Sequence, residues 1–228
     1  LNRIENSDWL PSAIKFLATQ GKNADYVLWF FRKLERLASF MHICGYDVNQ
    51  RIERYASVLA ALEGAHSMES SISAVQLTDE EKSKMLQVVD GDIYLMTARR
   101  RNHLLLRLDA FVGDGAATYD NGLLTIEHVL PQTVDIASDW QTLWPDEVLR
   151  KRWVHRLANL VPLTQKRNSQ AQNYDFDKKK SAYFGGKHGV SSYVLTTQVL
   201  NASNWTPAVV EQRQSDLIDV LAARWDLK

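Results

Sequence analysis

Cysteine is nearly absent. Cys44 is the only one in 228 residues, so an internal disulfide, a CxxC redox pair or a cysteine zinc site is excluded. It lies in the apolar stretch Phe40-Met41-His42-Ile43-Cys44, where a small buried hydrophobe is expected. Long apolar runs are missing too. No stretch of eighteen apolar residues occurs, and no basic segment leads into an apolar one near the start, which points to a cytoplasmic protein without a membrane partner. Net charge is also missing, with 27 Lys+Arg against 27 Asp+Glu, so the total identifies no partner. The distribution is uneven, however. From Arg150 to Lys187 ten basic residues face only Asp175 and Asp177, a local excess of eight. We read this as a phosphate-binding footprint rather than a solvated face, because it surrounds the motif described below.

What is present is mostly helical in period. Asp25 to His42 carries Val27, Leu28, Phe31, Leu34, Leu37, Ala38 and Met41 at helical spacing, and Gly45 ends the run. Asp47 is placed to cap a helix bearing Ile52, Tyr55, Leu59 and Leu62, ended by Gly64. Asp8 with Pro11 predicts a short helix to about Thr19. Thr78-Asp79-Glu80-Glu81 is a capping box, since the Thr hydroxyl and the Glu carboxylate satisfy each other's free backbone amides. Helices are expected over Asp79 to Val89 and Asp92 to Phe111, with the Ser-rich stretch His66 to Gln76 as a mobile loop. The texture then changes. Turn chemistry at Asp114-Gly115 and Asp120-Asn121-Gly122 precedes a short β-favouring run, Leu123 to Ile126. A second apolar stretch, Leu157 to Leu163, contains Pro162, which restricts it to an edge strand or its end. Helical signals resume at Thr164. Helices are expected from Asp175 through Tyr183, over Ser192 to Leu200, and from Pro207 through Arg224. The expected fold is mainly α: an N-terminal helical bundle over 1–112, then a unit over 113–228 built on two strands with additional C-terminal helices.

Within that second part stand Glu127-His128-Val129-Leu130-Pro131-Gln132, then Asn159-Leu160-Val161-Pro162-Leu163, then Asn168. A neutral imidazole, with an ordinary pKa near ~6.5, can accept a proton from water at neutral pH. Lone histidines and asparagines are weak signals, but the ordered set with Asn168 nine positions after Asn159 is strong. His128 as a strand-end core residue and Asn159 as a turn residue are the structural alternatives, and they do not explain the order. His155, four before Asn159, is read as structural rather than as an extra ligand. His42 and His103 fall among Leu and Met as packing residues, and Trp140, Trp144 and Trp153 are expected to anchor their loop in the core rather than to stack on bases. Of Arg99-Arg100-Arg101, only one or two can share a helix face.

Strand, long loop, strand and helix, with His at the first strand's end and Asn on the helix, resembles the HNH or ββα-metal nuclease unit. The wider pattern, Ile126 to Gln132, Leu157 to Leu163, Asn168-Ser169 and Phe176-Asp177-Lys178-Lys179-Lys180 up to Tyr183, is similar to the C-terminal nuclease domain of GmrSD-type modification-dependent restriction endonucleases. Those relatives include the effector of phosphorothioation-based phage defence. The resemblance is densest over 123–184, includes Trp205-Thr206 and Arg213 to Trp225, and is loose over 1–110. It implies His128 as general base, Asn159 holding the loop, and Glu127 and Asn168 as ligands of one divalent metal. Oxygen ligands suit Mg²⁺ or Mn²⁺ better than zinc. It also implies DNA as substrate; Lys166 and Arg167, which flank Asn168, and Lys178, Lys179 and Lys180 a helix away are expected on its phosphates. A nucleotide-hydrolysing sensor domain with a DGQQR-like motif precedes these parts in the family. No such motif occurs here, and the chain opens at Leu1 in mid-pattern, as expected of a C-terminal piece. Ala158 stands where the family more often has Gly, which is tolerable at negative φ.

Adjacent strand residues point to opposite faces, so Glu127 and His128 can share one site only around a strand end or distortion. A metal-dependent endonuclease or nickase of restriction is the leading expectation. A non-catalytic DNA-binding or sensor-docking module that keeps the fold is the second, and a helical interaction scaffold the weakest.

Overall fold

Helical periodicity carries through: the protein is mainly α, with one small antiparallel sheet. The structure, a computed structural model, describes residues 1, 4, 6–64, 72–114, 124–164, 173–184 and 193–228. Apart from the last two residues, it divides into two compact units, Leu1–Gln87 and Val88–Asp226.

The first unit holds α1 (Leu10–Gln20), α2 (Ala24–Ile43), α3 (Val48–Ala61) and most of α4 (Asp79–Val89). Each start has a local cause. Pro11 sits in the first turn of α1, and Asn23 Oδ1 accepts the Tyr26 N–H at 3.1 Å to open α2. Asp47 and Gln50 close a capping box at α3. Thr78 and Glu81 close another at α4, through contacts of 2.9 and 3.2 Å. The α2 stripe buries Phe30, Leu34, Leu37 and Met41, and Phe16 of α1 stacks on Phe30 at 3.9 Å between centroids. Gly45, at φ 74°, turns the chain after α2. Cys44 is half-buried at that C-cap rather than in the core. Of the expected mobile loop, 66–71 lie outside the described residues, and the remainder is pinned. Ser73–Val75 form a 3₁₀ turn with Ile72 and Val75 buried. Arg54 donates to the carbonyls of Ala74 (2.9 Å) and Gln76 (2.6 Å) and grips both oxygens of Glu81.

In the second unit the helix expected from Asp92 is interrupted. Ile93–Leu95 form a 3₁₀ turn, Met96 and Thr97 are extended, and α5 runs Ala98–Val112. The cause is Tyr94, whose backbone is engaged elsewhere. Its N–H donates to the His155 carbonyl at 3.0 Å, and its carbonyl accepts from Arg101 Nη1 at 2.9 Å. Strands β1 (Leu124–His128) and β2 (Leu160–Thr164) pair antiparallel, from Leu124 opposite Thr164 to His128 opposite Leu160. Pro162 is tolerated because both strands are edges, and its carbonyl accepts from Thr196 Oγ1 at 2.6 Å. The apolar stretch before it is not all strand, since Leu157–Asn159 form a 3₁₀ turn. The strand in turn runs on through Thr164, where helix was expected to resume.

Between the strands lie α6 (Trp140–Leu143) and α7 (Glu147–Trp153), and after them α8 (Phe176–Phe184), α9 (Val194–Leu200) and α10 (Pro207–Trp225). Trp140, Trp144 and Trp153 are buried in one core with Val129, Leu130, Phe176 and Trp205. They anchor the inserted loop as expected. Helix α5 packs on β2, α9 and α10. Its buried Asp109 accepts the Leu195 N–H at 2.7 Å, placing a carboxylate at the positive start of α9.

Candidate active site at the end of strand β1

Asn159 is the fixed point of the site. It is fully buried and uses its whole amide. Oδ1 accepts from the Leu130 N–H (2.7 Å) and from Trp205 Nε1 (3.0 Å). Nδ2 donates to the carbonyls of Leu130 (2.9 Å) and Val154 (3.0 Å). Its own carbonyl accepts the Val129 N–H at 2.9 Å. One side chain thus ties the turn after His128 to the end of α7 and to the core indole. Helix α10 holds the preceding residue on both sides: Ala158 N–H donates to Gln214 Oε1 (2.8 Å), and the Ala158 carbonyl accepts from Arg213 Nε (3.1 Å). Burial pushes the Arg213 guanidinium down to about 10, against the attraction of Asp109 and Asp216, so it stays charged at neutral pH. Ala158 is not among the residues at positive φ, so its methyl is unstrained where the family pattern more often has Gly.

His128 ends β1 and is only 5% exposed. Its Nε2 lies 3.3 Å from His155 Nδ1. The Tyr94 ring meets His128 edge-on at 4.1 Å and stacks parallel on His155 at 5.6 Å. Burial first, then the electrostatic influence of His155, Lys179 and Arg101, pushes the His128 imidazole down to about 3. The ring is therefore neutral throughout the physiological range.

Glu127 takes the other course. Pairing is regular through His128 and burial alternates along β1, so the two side chains leave opposite faces. Glu127 Oε1 accepts from Lys179 Nζ at 2.7 Å, and the same ammonium donates to the His128 carbonyl at 2.6 Å. Lys179 is 1% exposed. Its pKa is lowered by burial, with Glu127 acting in the opposite sense.

The three consecutive lysines of α8 therefore do not form one patch. Lys178 is exposed and lies over the Tyr174 ring at 3.5 Å. Lys179 turns inward, and Lys180 donates to the Ala202 carbonyl (3.1 Å) and pairs with Asp177 (3.2 Å). Asn168, Lys166 and Arg167 lie outside the described residues. Among the described residues, no group of three or more His, Cys, Asp and Glu side chains is placed to hold a metal ion. The donors around Lys179 Nζ are nonetheless a carboxylate and a carbonyl oxygen, hard ligands of the kind a divalent cation takes, and an ammonium already bridges them. Tyr94, His155 and Trp205 are the site members that sequence reasoning did not bring to this chemistry. His155 carried a signal through its spacing from Asn159, and Trp205 only through the resemblance over Trp205-Thr206.

A strand-end histidine, a neighbouring imidazole and an asparagine that locks the turn after the first thus come together in a mainly helical protein. Residues 79–220 match the family model described as GmrSD restriction endonucleases, C-terminal domain. With more than half its length matched, the chain belongs to that family. No curated protein and no solved structure matches it. Among the described residues, no helix is long and apolar enough to cross a membrane.

Proposed function

We propose that the chain carries the nuclease centre of a restriction system, an HNH-type endonuclease or nickase acting on foreign DNA. The unit that holds the site, Val88–Asp226, would supply the centre, and a nucleotide-hydrolysing sensor domain of the same full-length protein would direct it. The observation that carries this reading is the locked pair of His128 and Asn159 inside the segment that matches the family. His128 is the general base. As the oxygen of a water attacks phosphorus, its proton passes to the neutral imidazole, the bond from phosphorus to the leaving oxygen breaks, and that oxygen takes up a proton. A ring held at about 3 in the free protein is a weak base, but the negative charge of a bound phosphate favours the imidazolium and strengthens it during reaction. Asn159 fixes the turn beside the base, so the ring need not be reordered when DNA arrives.

A single divalent ion, Mg²⁺ or Mn²⁺ held by Glu127 and Asn168, would relieve charge on the scissile phosphate, which requires the Glu127 carboxylate to leave Lys179 and turn toward the His128 side at the strand end. Lys179 already neutralises Glu127 and supports the His128 carbonyl. Lys166, Arg167 and the exposed Lys178 are proposed to contact flanking phosphates, which position DNA without reading its sequence. The test is conversion of supercoiled plasmid by the 228-residue chain with Mg²⁺ or Mn²⁺ and with EDTA. Nicked or linear product that requires the metal is expected. Salt-sensitive DNA binding with no product under any metal would replace this reading by the non-catalytic module.

A further inference from the structure

We infer that His155 is a positioning residue for His128, fixing its tautomer and ring orientation through the contact between His155 Nδ1 and His128 Nε2. The inference deepens the nuclease reading and rests on His128 being its base. The contact, at 3.3 Å, needs one hydrogen between the two nitrogens. Two arrangements supply it. In one, His128 Nε2–H donates to His155 Nδ1, and both rings carry their hydrogen on Nε2. In the other, His155 Nδ1–H donates to His128, and both rings carry it on Nδ1. The Nε2–H form is the lower-energy tautomer of a free neutral histidine side chain, so the first arrangement uses the preferred form twice. It leaves the lone pair on His128 Nδ1, outside the contact with His155, as the atom assigned to accept the proton in the proposed reaction.

His155 is held firmly enough for this task. Asn159 Nδ2 grips the carbonyl of the residue before it at 3.0 Å. The Tyr94 N–H grips its own carbonyl at 3.0 Å. The Tyr94 ring lies parallel to the imidazole, with an interplanar angle of 10°, and stands edge-on to His128. Tyr94 is itself fastened by Arg101, which donates to its carbonyl at 2.9 Å and lays its guanidinium over the ring at 4.4 Å. The chain Arg101, Tyr94, His155, His128 thus carries orientation from α5 to the strand end. A partner that sets the tautomer of a working histidine acts without touching substrate, and its loss lowers turnover more than binding.

The experiment pairs ring-nitrogen NMR of the 228-residue chain with plasmid cleavage kinetics on His155→Phe and His155→Asn. Phe keeps the stacking surface and removes Nδ1, whereas Asn places an oxygen near the Nδ1 position. In the unsubstituted protein His128 is expected as the Nε2–H tautomer. In His155→Phe we expect a mixture of tautomers and a kcat reduced on the order of 10- to 100-fold with KM for DNA unchanged; His155→Asn should recover most of that loss. Retention of the Nε2–H form with unchanged kcat in His155→Phe would overturn the inference. So would a loss that His155→Asn does not rescue, which would mean that the ring packs but does not orient. The NMR arm does not depend on cleavage: if no variant cuts DNA, the nuclease reading fails while the tautomer result still decides the role of His155.

Discussion

Replacing Asn159 with alanine removes one small side chain and takes the amide partner from three buried groups and one part-buried one. The Leu130 N–H, the Leu130 carbonyl, the Val154 carbonyl and the Trp205 indole N–H all bond to its amide at 2.7 to 3.0 Å. Asn159 is 0% exposed, so bulk water cannot replace these bonds without opening the core. A buried orphan costs roughly 1–3 kcal/mol, and with partial rehydration of the turn the four together should cost about 3–5 kcal/mol. For a chain of this size that lowers the melting temperature by about 10 °C. Urea unfolding followed by tryptophan fluorescence suits the measurement, because Trp140, Trp144, Trp153, Trp205 and Trp225 all belong to the second unit. Asn159→Asp is an informative companion. It keeps both acceptor contacts but turns a carboxylate oxygen toward two carbonyls, and should destabilise at least as much at neutral pH. A loss below about 1 kcal/mol in Asn159→Ala, the range of an ordinary surface change, would refute the idea that this amide holds the turn.

Lys179→Met should destabilise the second unit by about 2–4 kcal/mol, since it removes the buried ammonium that the Glu127 carboxylate and the His128 carbonyl share, whereas Lys178→Ala should leave stability unchanged and reduce the salt slope of DNA binding by about 1; equal effects on stability would contradict the inward placement of Lys179. Because the folded His128 pKa, about 3, lies below its ordinary value of 6.5, the unfolded chain binds the extra proton between those values. Its contribution is therefore complete above about 6.5 and is lost as pH falls toward 3. Stability measured from pH 7 down to 4 should fall less steeply in His128→Gln than in the unsubstituted protein, and parallel curves would contradict the buried, neutral ring. Trp205→Phe should cost about 1–3 kcal/mol through the lost bond to Asn159 and a small cavity, and lower cleavage with it; an unchanged melting temperature would show that the indole does not brace the site.

Much of the fold was legible because its signals are local. Caps at Asp47 and Thr78, the α2 stripe and the Thr206-Pro207 start of α10 each act within a few residues. The two strands were legible from β-favouring texture and a tolerated proline, whereas their joining into one unit came only from the resemblance to the ββα-metal unit. Where expectation failed, a distant partner decided. Tyr94 breaks the helix expected from Asp92 because its backbone groups bond His155 and Arg101, and the end of the Ser-rich loop is pinned by Arg54 from α3. The order of Glu127, His128 and Asn159 in the sequence pointed to the site, but not to what each side chain touches. The lysine run misled for a geometric reason: consecutive helical residues are about 100° apart, so Lys178, Lys179 and Lys180 face three directions. The tension between neighbouring Glu127 and His128 was real. Strand pairing is regular, the side chains diverge, and the Glu127 carboxylate and His128 carbonyl converge on Lys179 instead.

The central claim is that His128 does the chemistry, and plasmid cleavage by His128→Ala tests it most directly. The variant should fold, bind DNA with the same salt dependence and give no metal-dependent product above the uncatalysed background. Cleavage by His128→Ala at the rate of the unsubstituted protein, in the same preparation and metal, would contradict the account.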